Sequence, residues 1–258
     1  MCGIMAALLS PQVRSKQAWQ GIKAVFIGGL LLSQSRGDKA TGVAVLGRGQ
    51  PAAVVKKPIP AARFVVDDDF AAVMSSVGDG TTLILGHTRN PTLGTVHRRQ
   101  NNHPLEVGSV LGVHNGHIVN HQDVFRNEGW ERQGDVDSEA IFRLINSVHP
   151  VESAEAYLQE IRARIRVLKG EYTFLACDLR RPDRLIAARH FEPLAVGYQR
   201  TWNALFFSSL DWFLDSSLGM TRDATLLPRE RLMLYEAGAL SSLCDAPLNA
   251  LAFGPDQP

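Results

Sequence analysis

The sequence predicts an α+β fold in which strands come first, a pair of helices follows, and further strands complete the chain. The opening run CGIMAALL is continuously apolar, which is typical of a strand covered on both faces. Two segments near the middle of the chain, at 135–148 and 152–168, carry apolar residues at helical spacing. Four short strand-like runs then lie between residues 171 and 209. This order leaves little room for an appended domain.

The remaining elements are predicted in chain order from their local patterns. Residues 15–33 form a mostly apolar helix, and strands at 41–47 and 52–57 are joined by a Gly-rich turn. DDDFAAVMSSV predicts a short helix, because the helix dipole favours acidic residues at its start. TTLILGHTR predicts a strand ending in a polar cluster, and a loop rich in Asn, His and Pro follows it. In GSVLGVHNGHIVNH the Asn-Gly pair predicts a tight turn between two strands.

Composition indicates an ordinary globular protein and excludes several classes of partner. The chain has 258 residues, of which 45% are hydrophobic and 21% are charged, and its formal net charge is +1. We therefore expect neither nucleic acid nor a membrane as a partner. Three cysteines without motif spacing argue against a disulfide framework and suit a cytoplasmic location. The first residues lack the positive start of a signal peptide, and the apolar run at 22–37 is too short to cross a bilayer.

Cys2 stands directly behind the initiator methionine, where a single residue can supply both a nucleophile and a base. If Met1 is removed, Cys2 carries a thiol with an ordinary pKa of about 8.5 and a free α-amine with a pKa of about 7.7–8.0. The amine can accept the thiol proton, and the thiolate is the nucleophile. Small second residues favour removal of the initiator methionine. The competing interpretation is that Cys2 is a small apolar residue at the start of a buried strand.

Polar motifs recur at the ends of the predicted strands. They are CGI at 2–4, SRGDKATG at 35–42, GHTRNPTLG at 86–94, NNHP at 101–104, HNGHIVN at 114–120 and DSE at 137–139. With these six motifs the sequence resembles the class II glutamine amidotransferase family, whose members are N-terminal-nucleophile hydrolases that release ammonia from glutamine. The resemblance covers roughly residues 2–215, where GEYTFLACD and FFSSLDWFL match weaker late segments of the family.

The resemblance implies both a fold and a chemistry. The implied fold is a four-layer αββα sandwich, in which two mainly antiparallel sheets stack face to face and helices near 15–33 and 137–166 cover them. The implied enzyme hydrolyses the side-chain amide of L-glutamine through the thiolate of Cys2. Asn115 and Gly116 would form the oxyanion hole, by the Asn side-chain NH₂ and the Gly backbone N–H.

The same resemblance assigns further residues to the substrate. Arg89 would bind the α-carboxylate of glutamine through a two-pronged hydrogen bond that lysine cannot reproduce, and Asp137 would bind the α-ammonium group. Thr92 and His103 match positions near the pocket. Leu93 departs from the family, because many members carry a histidine there. This departure bears on coupling to the ammonia acceptor more than on the glutaminase chemistry.

Several of these residues also have a purely structural interpretation. Asn115 and Gly116 can form a hairpin turn, Asp137 can cap the helix that follows it, and Arg89 can make a surface salt bridge. Residues 36–38 match a stretch that shapes the pocket wall, or they end a helix in a turn. The histidines at 114, 117 and 121 have a spacing that suggests a metal site. No cysteine or carboxylate cluster completes a tetrahedral set, so we expect no metal, and without a phosphate-binding motif we expect no cofactor.

The sequence therefore predicts a stand-alone glutaminase domain over residues 1–240, with a C-terminal tail at 241–258. Because this domain nearly consumes the chain, we expect its ammonia to pass to a separate synthase or acceptor subunit. Two alternatives stay open. A free-standing hydrolase could use the same nucleophile to cut a γ-glutamyl bond in a peptide or metabolite. A non-catalytic binding subunit would be expected to lack Cys2, Asn115 or Arg89, and all are present.

Overall fold

The computed structural model describes residues 1–219 and 224–253, which form two sheets and the helices that cover them. The helices are α1 (Lys16–Ser33), α2 (Ala61–Phe64), α3 (Asp68–Ser75), α4 (His121–Glu128), α5 (Ser138–Asn146), α6 (Ala154–Ile165), α7 (Asp211–Leu218) and α8 (Leu240–Leu243). The strands are β1 (Gly3–Leu9), β2 (Ala40–Gly47), β3 (Gln50–Lys57), β4 (Thr81–Arg89), β5 (Leu105–Val107), β6 (Val110–Ile118), β7 (Gly170–Asp178), β8 (Arg184–Arg189), β9 (Ala195–Gln199), β10 (Ala204–Ser208), β11 (Thr225–Leu226), β12 (Arg231–Glu236) and β13 (Asn249–Ala252).

The two sheets stack face to face between helical layers. The first sheet has the strand order β11-β9-β10-β1-β4-β2-β3, and the second has the order β13-β12-β8-β7-β6-β5. Neighbouring strands pair antiparallel in both. One apolar cluster fills the space between the sheets, a second lies between the first sheet and α1, α2, α3 and α7, and a third lies between the second sheet and α4, α5 and α6. The predicted four-layer αββα sandwich is therefore confirmed.

The central position of β1 explains why its sequence is continuously apolar. Every residue of the strand is buried. Ile4 and Leu8 face the second sheet, whereas Met5 and Leu9 pack in the cluster beneath α1. Successive side chains of a strand point to opposite faces, so a strand covered on both sides needs apolar residues at every position.

The predicted helices form close to their expected bounds, but one expected cap is absent. The hydroxyl of Ser15 accepts a hydrogen bond from the backbone N–H of Ala18 at 3.1 Å, which caps the first turn of α1. Asp137 precedes α5 without making such a bond. Its carboxylate instead accepts a hydrogen bond from the backbone N–H of Ile118 at 2.6 Å, at the end of β6. Asp137 therefore joins α5 to the second sheet rather than capping the helix.

The predicted tight turn at Asn115 and Gly116 is wrong, because β6 runs straight through both residues. Its pairing with β7 is continuous, from Val110 opposite Asp178 to Ile118 opposite Gly170. Gly116 has a φ of +122°, and a Cβ there would lie 1.9 Å from the carbonyl oxygen of Glu171. Glycine is therefore needed at this position for the close approach of the two backbones and not for a turn.

The segment predicted as a tail contributes to the second sheet. Within 241–258, residues Asn249–Ala252 form β13, which pairs with β12 so that Leu251 lies opposite Leu232. The ring of Phe253 lies 5.7 Å from that of Tyr172 in an edge-to-face contact. The rest of the predicted tail, residues 254–258, lies outside the described residues. The second sheet and the contacts around it thus reach residue 253.

Within residues 1–219 and 224–253, none of the helices combines the length and the apolar character that crossing a membrane requires.

Replacing Gly116 with alanine should destabilise the protein strongly. The change adds a Cβ in a left-handed conformation and against a backbone carbonyl, so we expect the free energy of unfolding to fall by at least about 2 kcal/mol. Gly78→Ala is the control, because a Cβ there meets nothing within 4 Å, and we expect a change within about 0.5 kcal/mol. Urea unfolding measures both values, and a Gly116→Ala protein as stable as the wild type would contradict the described backbone.

Candidate active site

A cavity of about 230 Å³ lies where β1 begins and β4 ends, opposite the second half of β6. Its lining residues are Met1, Cys2, Asn90, Thr92, Asn115, Gly116, His117, Glu171 and Glu192. Strands β1 and β4 belong to the first sheet and β6 belongs to the second. The cavity therefore spans the boundary between the sheets and brings together the predicted nucleophile and the predicted oxyanion hole.

A larger open groove of about 740 Å³ follows the start of α1 beside Trp202. Its described lining includes no cysteine, histidine or carboxylate. A hydroxyl or thiol nucleophile needs a base beside it, and the hydroxyls of Ser15 and Thr201 have no histidine or carboxylate among the described residues that line the groove. The smaller cavity at Cys2 is therefore the candidate active site.

Bonds to its sulfur and to its backbone hold Cys2 at the cavity. The thiol donates to the carbonyl of Asn90 at 3.4 Å, and the sulfur accepts from the backbone N–H of the same residue at 3.3 Å. The Cys2 carbonyl accepts a hydrogen bond from Nε of Arg36 at 2.7 Å. The same guanidinium pairs with Glu192 at 2.9 Å. Arg36, which the family resemblance predicts in the pocket wall, thus contacts the backbone of the predicted nucleophile.

Burial raises the pKa of the Cys2 thiol, because a desolvated site disfavours the charged thiolate. The Asn90 backbone N–H and the positive charges of the chain's N terminus, Arg89 and Arg36 act against this rise. Met1 is attached in this structure and lines the cavity, so the nitrogen of Cys2 is an amide that cannot accept a proton. Removal of Met1 would convert that nitrogen into an amine and enlarge the cavity beside the sulfur.

Asn115 and Gly116 border the same cavity from the second sheet. Asn115 is almost completely buried, and its Nδ2 donates a hydrogen bond to Oγ of Ser209 at 3.0 Å. Its Oδ1 is buried and has no hydrogen-bond partner among the described residues. A primary amide has two N–H groups, and only one of those of Asn115 is used by the bond to Ser209.

Arg89 is the last residue of β4 and Thr92 lies in the loop after it, and only one of the two lines the cavity. Thr92 lines the cavity. Arg89 is buried, which excludes the surface salt bridge, and its Nη1 donates to Oδ1 of Asn102 at 2.8 Å. Its Nη2 donates to the carbonyls of Leu93 and Gly94. In this structure Arg89 therefore orders the loop beside the cavity with bonds from both of its terminal nitrogens.

Asp137 and His103 lie outside the lining of the cavity. Oδ2 of Asp137 is 3.3 Å from Nδ1 of His117, which does line the cavity. His103 is buried against the ring of His87, with 4.4 Å between the ring centroids. Asp137 thus reaches the cavity through His117, whereas His103 belongs to a buried group of histidines.

That group consists of His87, His103 and His114. Nε2 of His87 lies 3.0 Å from the backbone carbonyl of His114, and since a carbonyl only accepts, this nitrogen carries the proton. Nδ1 of His114 bonds to Oγ of Ser138 at 2.7 Å, and neither ring nitrogen of His103 has a partner among the described residues. Burial lowers the pKa of His87 to about 3, and it lowers the pKa of His103 and His114 below the ordinary value. All are neutral at pH 7.

The histidines do not converge on a metal site. Residues 1–219 and 224–253 contain no group of three or more His, Cys, Asp and Glu side chains that could hold a metal ion. His114 bonds to Ser138, while the ring centroids of His117 and His121 are 6.4 Å apart. The regular spacing of these residues in the sequence reflects one strand and the helix after it.

Sequence reasoning missed several residues that the structure brings to the site. Asn90 and His117 lie inside the motifs GHTRNPTLG and HNGHIVN, so a signal for them was present. Glu171, Glu192 and Ser209 lie far along the chain, at the start of β7, between β8 and β9, and directly after β10, where no motif indicated a role. Antiparallel pairing carries these strand ends back to the cavity.

Comparisons with known proteins identify relatives of this chain. A family model described as a glutamine amidotransferase domain matches residues 88–215. A glutamine–fructose-6-phosphate aminotransferase (isomerizing) of Shewanella oneidensis is 30% identical over 204 residues, which are 77% of this chain and 30% of that protein. The enzyme of the same name from Pseudomonas putida is 31% identical over 204 residues, 76% of this chain and 30% of that protein. The chain thus spans about a third of the length of these curated relatives.

Solved structures show the same fold. The structure titled as the allosteric regulatory enzyme of purine biosynthesis matches with a TM-score of 0.70 at 20% identity, over 98% of this chain and 49% of that chain. The glutamine phosphoribosylpyrophosphate amidotransferase from B. subtilis matches with a TM-score of 0.69 at 20% identity and the same coverage. At this identity the likeness supports the fold, and it extends over the whole described sandwich.

Acidification should destabilise the protein through its buried histidines. Their pKa values are lower in the folded protein than the ordinary 6.5, so below about pH 6.5 the unfolded chain binds more protons than the folded one. Stability should be full above this pH and fall as the pH decreases, by up to about 1.4 kcal/mol per pH unit for each such histidine. His103→Phe should reduce the loss between pH 7.5 and pH 5.0 in urea unfolding.

The matched control for this experiment is His97→Gln, because His97 is exposed. It should show the wild-type loss of stability on acidification. Equal losses in His103→Phe and the wild type would show that His103 is not held neutral by burial.

Proposed function

The chain belongs to the class II glutamine amidotransferase family, and from this membership we propose that it hydrolyses the side-chain amide of L-glutamine through an N-terminal Cys2 thiolate. The observation that carries the proposal is the shared cavity of Cys2, Asn115 and Gly116. A thiol and two amide groups that line one cavity support the proposal, because acyl transfer to sulfur needs a nucleophile and hydrogen-bond donors for the oxyanion.

The proposed reaction begins once Met1 has been removed. The α-amine of Cys2 takes the thiol proton, and the thiolate attacks the side-chain amide carbon of glutamine. The carbonyl oxygen becomes an oxyanion that accepts hydrogen bonds from Nδ2 of Asn115 and the backbone N–H of Gly116, and each such donor typically contributes about 2.7–4 kcal/mol in the transition state. The C–N bond then breaks, and the nitrogen leaves as ammonia with the proton from the amine. Water hydrolyses the remaining thioester and releases glutamate.

Recognition of the substrate's α-carbon end is proposed for Arg89 and Asp137, with Thr92 in the cavity wall. Both charged side chains have partners in this structure, since Arg89 bonds to the loop at Leu93 and Gly94 and Asp137 bonds to β6. Substrate binding would then require the carboxylate to replace a loop carbonyl as acceptor for Arg89. His103 supports the site from the buried layer and is not proposed to touch glutamine.

The ammonia acceptor is proposed to lie outside these 258 residues, on a separate synthase or acceptor subunit. The relatives from Shewanella oneidensis and Pseudomonas putida bear the name of an aminotransferase and are about three times as long as the matching segment. We propose that the chain corresponds to the glutaminase portion of such proteins and that the domain extends from Cys2 through β13. The free-standing γ-glutamyl hydrolase stays the alternative, because Arg89 and Asp137 suit any substrate with a γ-glutamyl amino-acid end.

The first test concerns the N terminus and the nucleophile. Active protein should begin at Cys2, as intact-mass measurement would show, and Cys2→Ala should abolish ammonia release from L-glutamine. A form that keeps a residue before Cys2 should also be inactive, because its nitrogen is an amide. Full activity from protein that retains Met1 would rule out the α-amine as the base. Hydrolysis of γ-glutamyl peptides with no release of ammonia from glutamine would favour the alternative function.

The second test concerns Arg89. Arg89→Lys should lower kcat/KM for glutamine about ten- to hundredfold, because a point charge loses one of two charged hydrogen bonds to the carboxylate. Asn102→Ala is the matched control, since it removes a loop partner of Arg89 and keeps the guanidinium. Steady-state kinetics should show a smaller effect for the control. Equal losses in both variants would indicate that Arg89 acts by ordering the loop and does not hold the substrate.

A further inference from the structure

Ser209 is a fully buried serine that connects the two sheets at the site. It follows β10, the neighbour of β1 in the first sheet. Its backbone N–H donates to the carbonyl of Ile4 at 3.1 Å. Its Oγ accepts one hydrogen bond from the backbone N–H of Ile4 at 2.8 Å and another from Nδ2 of Asn115 at 3.0 Å. A single hydroxyl oxygen thus contacts both the strand that follows Cys2 and the side chain of Asn115.

The bond to Ser209 determines how the amide of Asn115 is oriented. The opposite atom of that amide, Oδ1, makes no hydrogen bond of ordinary length among the described residues, although the Asn115 side chain also interacts with the ring of His87. An amide held by Nδ2 keeps one N–H on Ser209, and its planarity fixes the direction of the other. Oxyanion donors are effective when they are held in place before the charge develops, since they then cost no reorganisation. The Ser209 hydroxyl meets that requirement from the sheet that carries Cys2.

We propose that Ser209 is a positioning residue that directs the second N–H of Asn115 to the oxyanion and keeps it in register with Cys2. This inference rests on the proposed roles of Cys2 and Asn115. Ser209 is absent from the lining of the cavity, so it acts through Asn115 and not on the substrate. Oγ of Ser209 accepts two hydrogen bonds, which is the number of lone pairs on a hydroxyl oxygen. The donors are the backbone N–H of Ile4 and Nδ2 of Asn115, and the proposed chemistry needs both groups in fixed positions.

The adjacent Ser208 supplies a matched control. It is also fully buried, and it lies one residue earlier at the end of β10. It pairs with Met5, which packs in the helical layer, so its side chain points to the opposite face from Ser209. Its Oγ has no hydrogen-bond partner among the described residues. Ser208→Ala therefore removes the same atom from the same strand end without breaking either contact of Ser209.

The kinetic experiment compares the two serine variants in the full chain, with ammonia release from L-glutamine as the assay. Ser209→Ala should lower kcat about 10- to 100-fold, because loss of a whole oxyanion donor typically lowers it about 10²- to 10³-fold and a misdirected donor keeps part of its effect. KM should change less than about threefold. Ser208→Ala should keep the wild-type kcat. Ser209→Thr, which retains the hydroxyl, should recover much of the lost rate.

Two further measurements separate positioning from a general loss of structure. In the Asn115→Ala background, Ser209→Ala should lower kcat little further, because the residue acts through Asn115. Amide hydrogen exchange at Ile4 should accelerate in Ser209→Ala and stay unchanged in Ser208→Ala. Losses that multiply in the double variant, or unchanged exchange at Ile4, would overturn the inference.

The outcome also distinguishes this inference from the proposed function. An active wild type, an inactive Cys2→Ala variant and a fully active Ser209→Ala variant would refute the positioning role and leave the glutaminase proposal intact. A wild-type protein that releases no ammonia from glutamine would refute the proposed function, and the positioning role would fall with it.

Discussion

The site depends on a fixed offset between the two sheets, because its thiol extends from one sheet and its amide donors belong to the other. Apolar packing between the sheets excludes water and sets their separation. Such packing is not directional, so it restrains sliding of one sheet over the other less than hydrogen bonds do. Two directional contacts cross the boundary beside the cavity: His87 to the carbonyl of His114, and Asn115 to Ser209. Both involve residues within one position of the proposed oxyanion donors.

The close packing of the two sheets also keeps the buried histidines neutral. A charged imidazole between packed layers would pay a large desolvation cost, and burial lowers the pKa of His87 to about 3 for that reason. A neutral ring can donate through one nitrogen only, which makes the bond from His87 to the β6 backbone specific in direction. Neutral histidines also leave Arg36 and Arg89 as the nearby side chains whose positive charge favours a Cys2 thiolate.

Much of the fold could be predicted from the sequence, because the strands of a doubly covered sheet carry a strong apolar signal. That signal located β1, and the motifs at strand ends located most of the cavity. The Asn115–Gly116 turn was wrong because turn propensity is local, whereas continuous pairing of β6 with β7 is a tertiary effect. Strand β13 was missed because its four residues carry too little pattern to distinguish from a tail. Ser209 could not be assigned, since its role depends on an antiparallel return from 94 residues away.

Besides the carboxylates of Glu171 and Glu192, the proposed site offers the imidazole of His117 and, once Met1 is removed, the α-amine of Cys2 as acceptors for the thiol proton. The covalent geometry supports the α-amine. His117 lines the cavity with Asp137 at 3.3 Å from its Nδ1, an arrangement that in other sites orients a general base. The hydrogen bonds of the Cys2 sulfur, however, both go to Asn90, on the side of the first sheet. An α-amine on Cys2 is fixed by covalent bonds a few ångströms from the sulfur, and so it needs no second sheet to align it. If the α-amine of Cys2 is the base, the nucleophile and the base belong to one residue. The second sheet then has to align only Asn115 and Gly116 with the oxyanion.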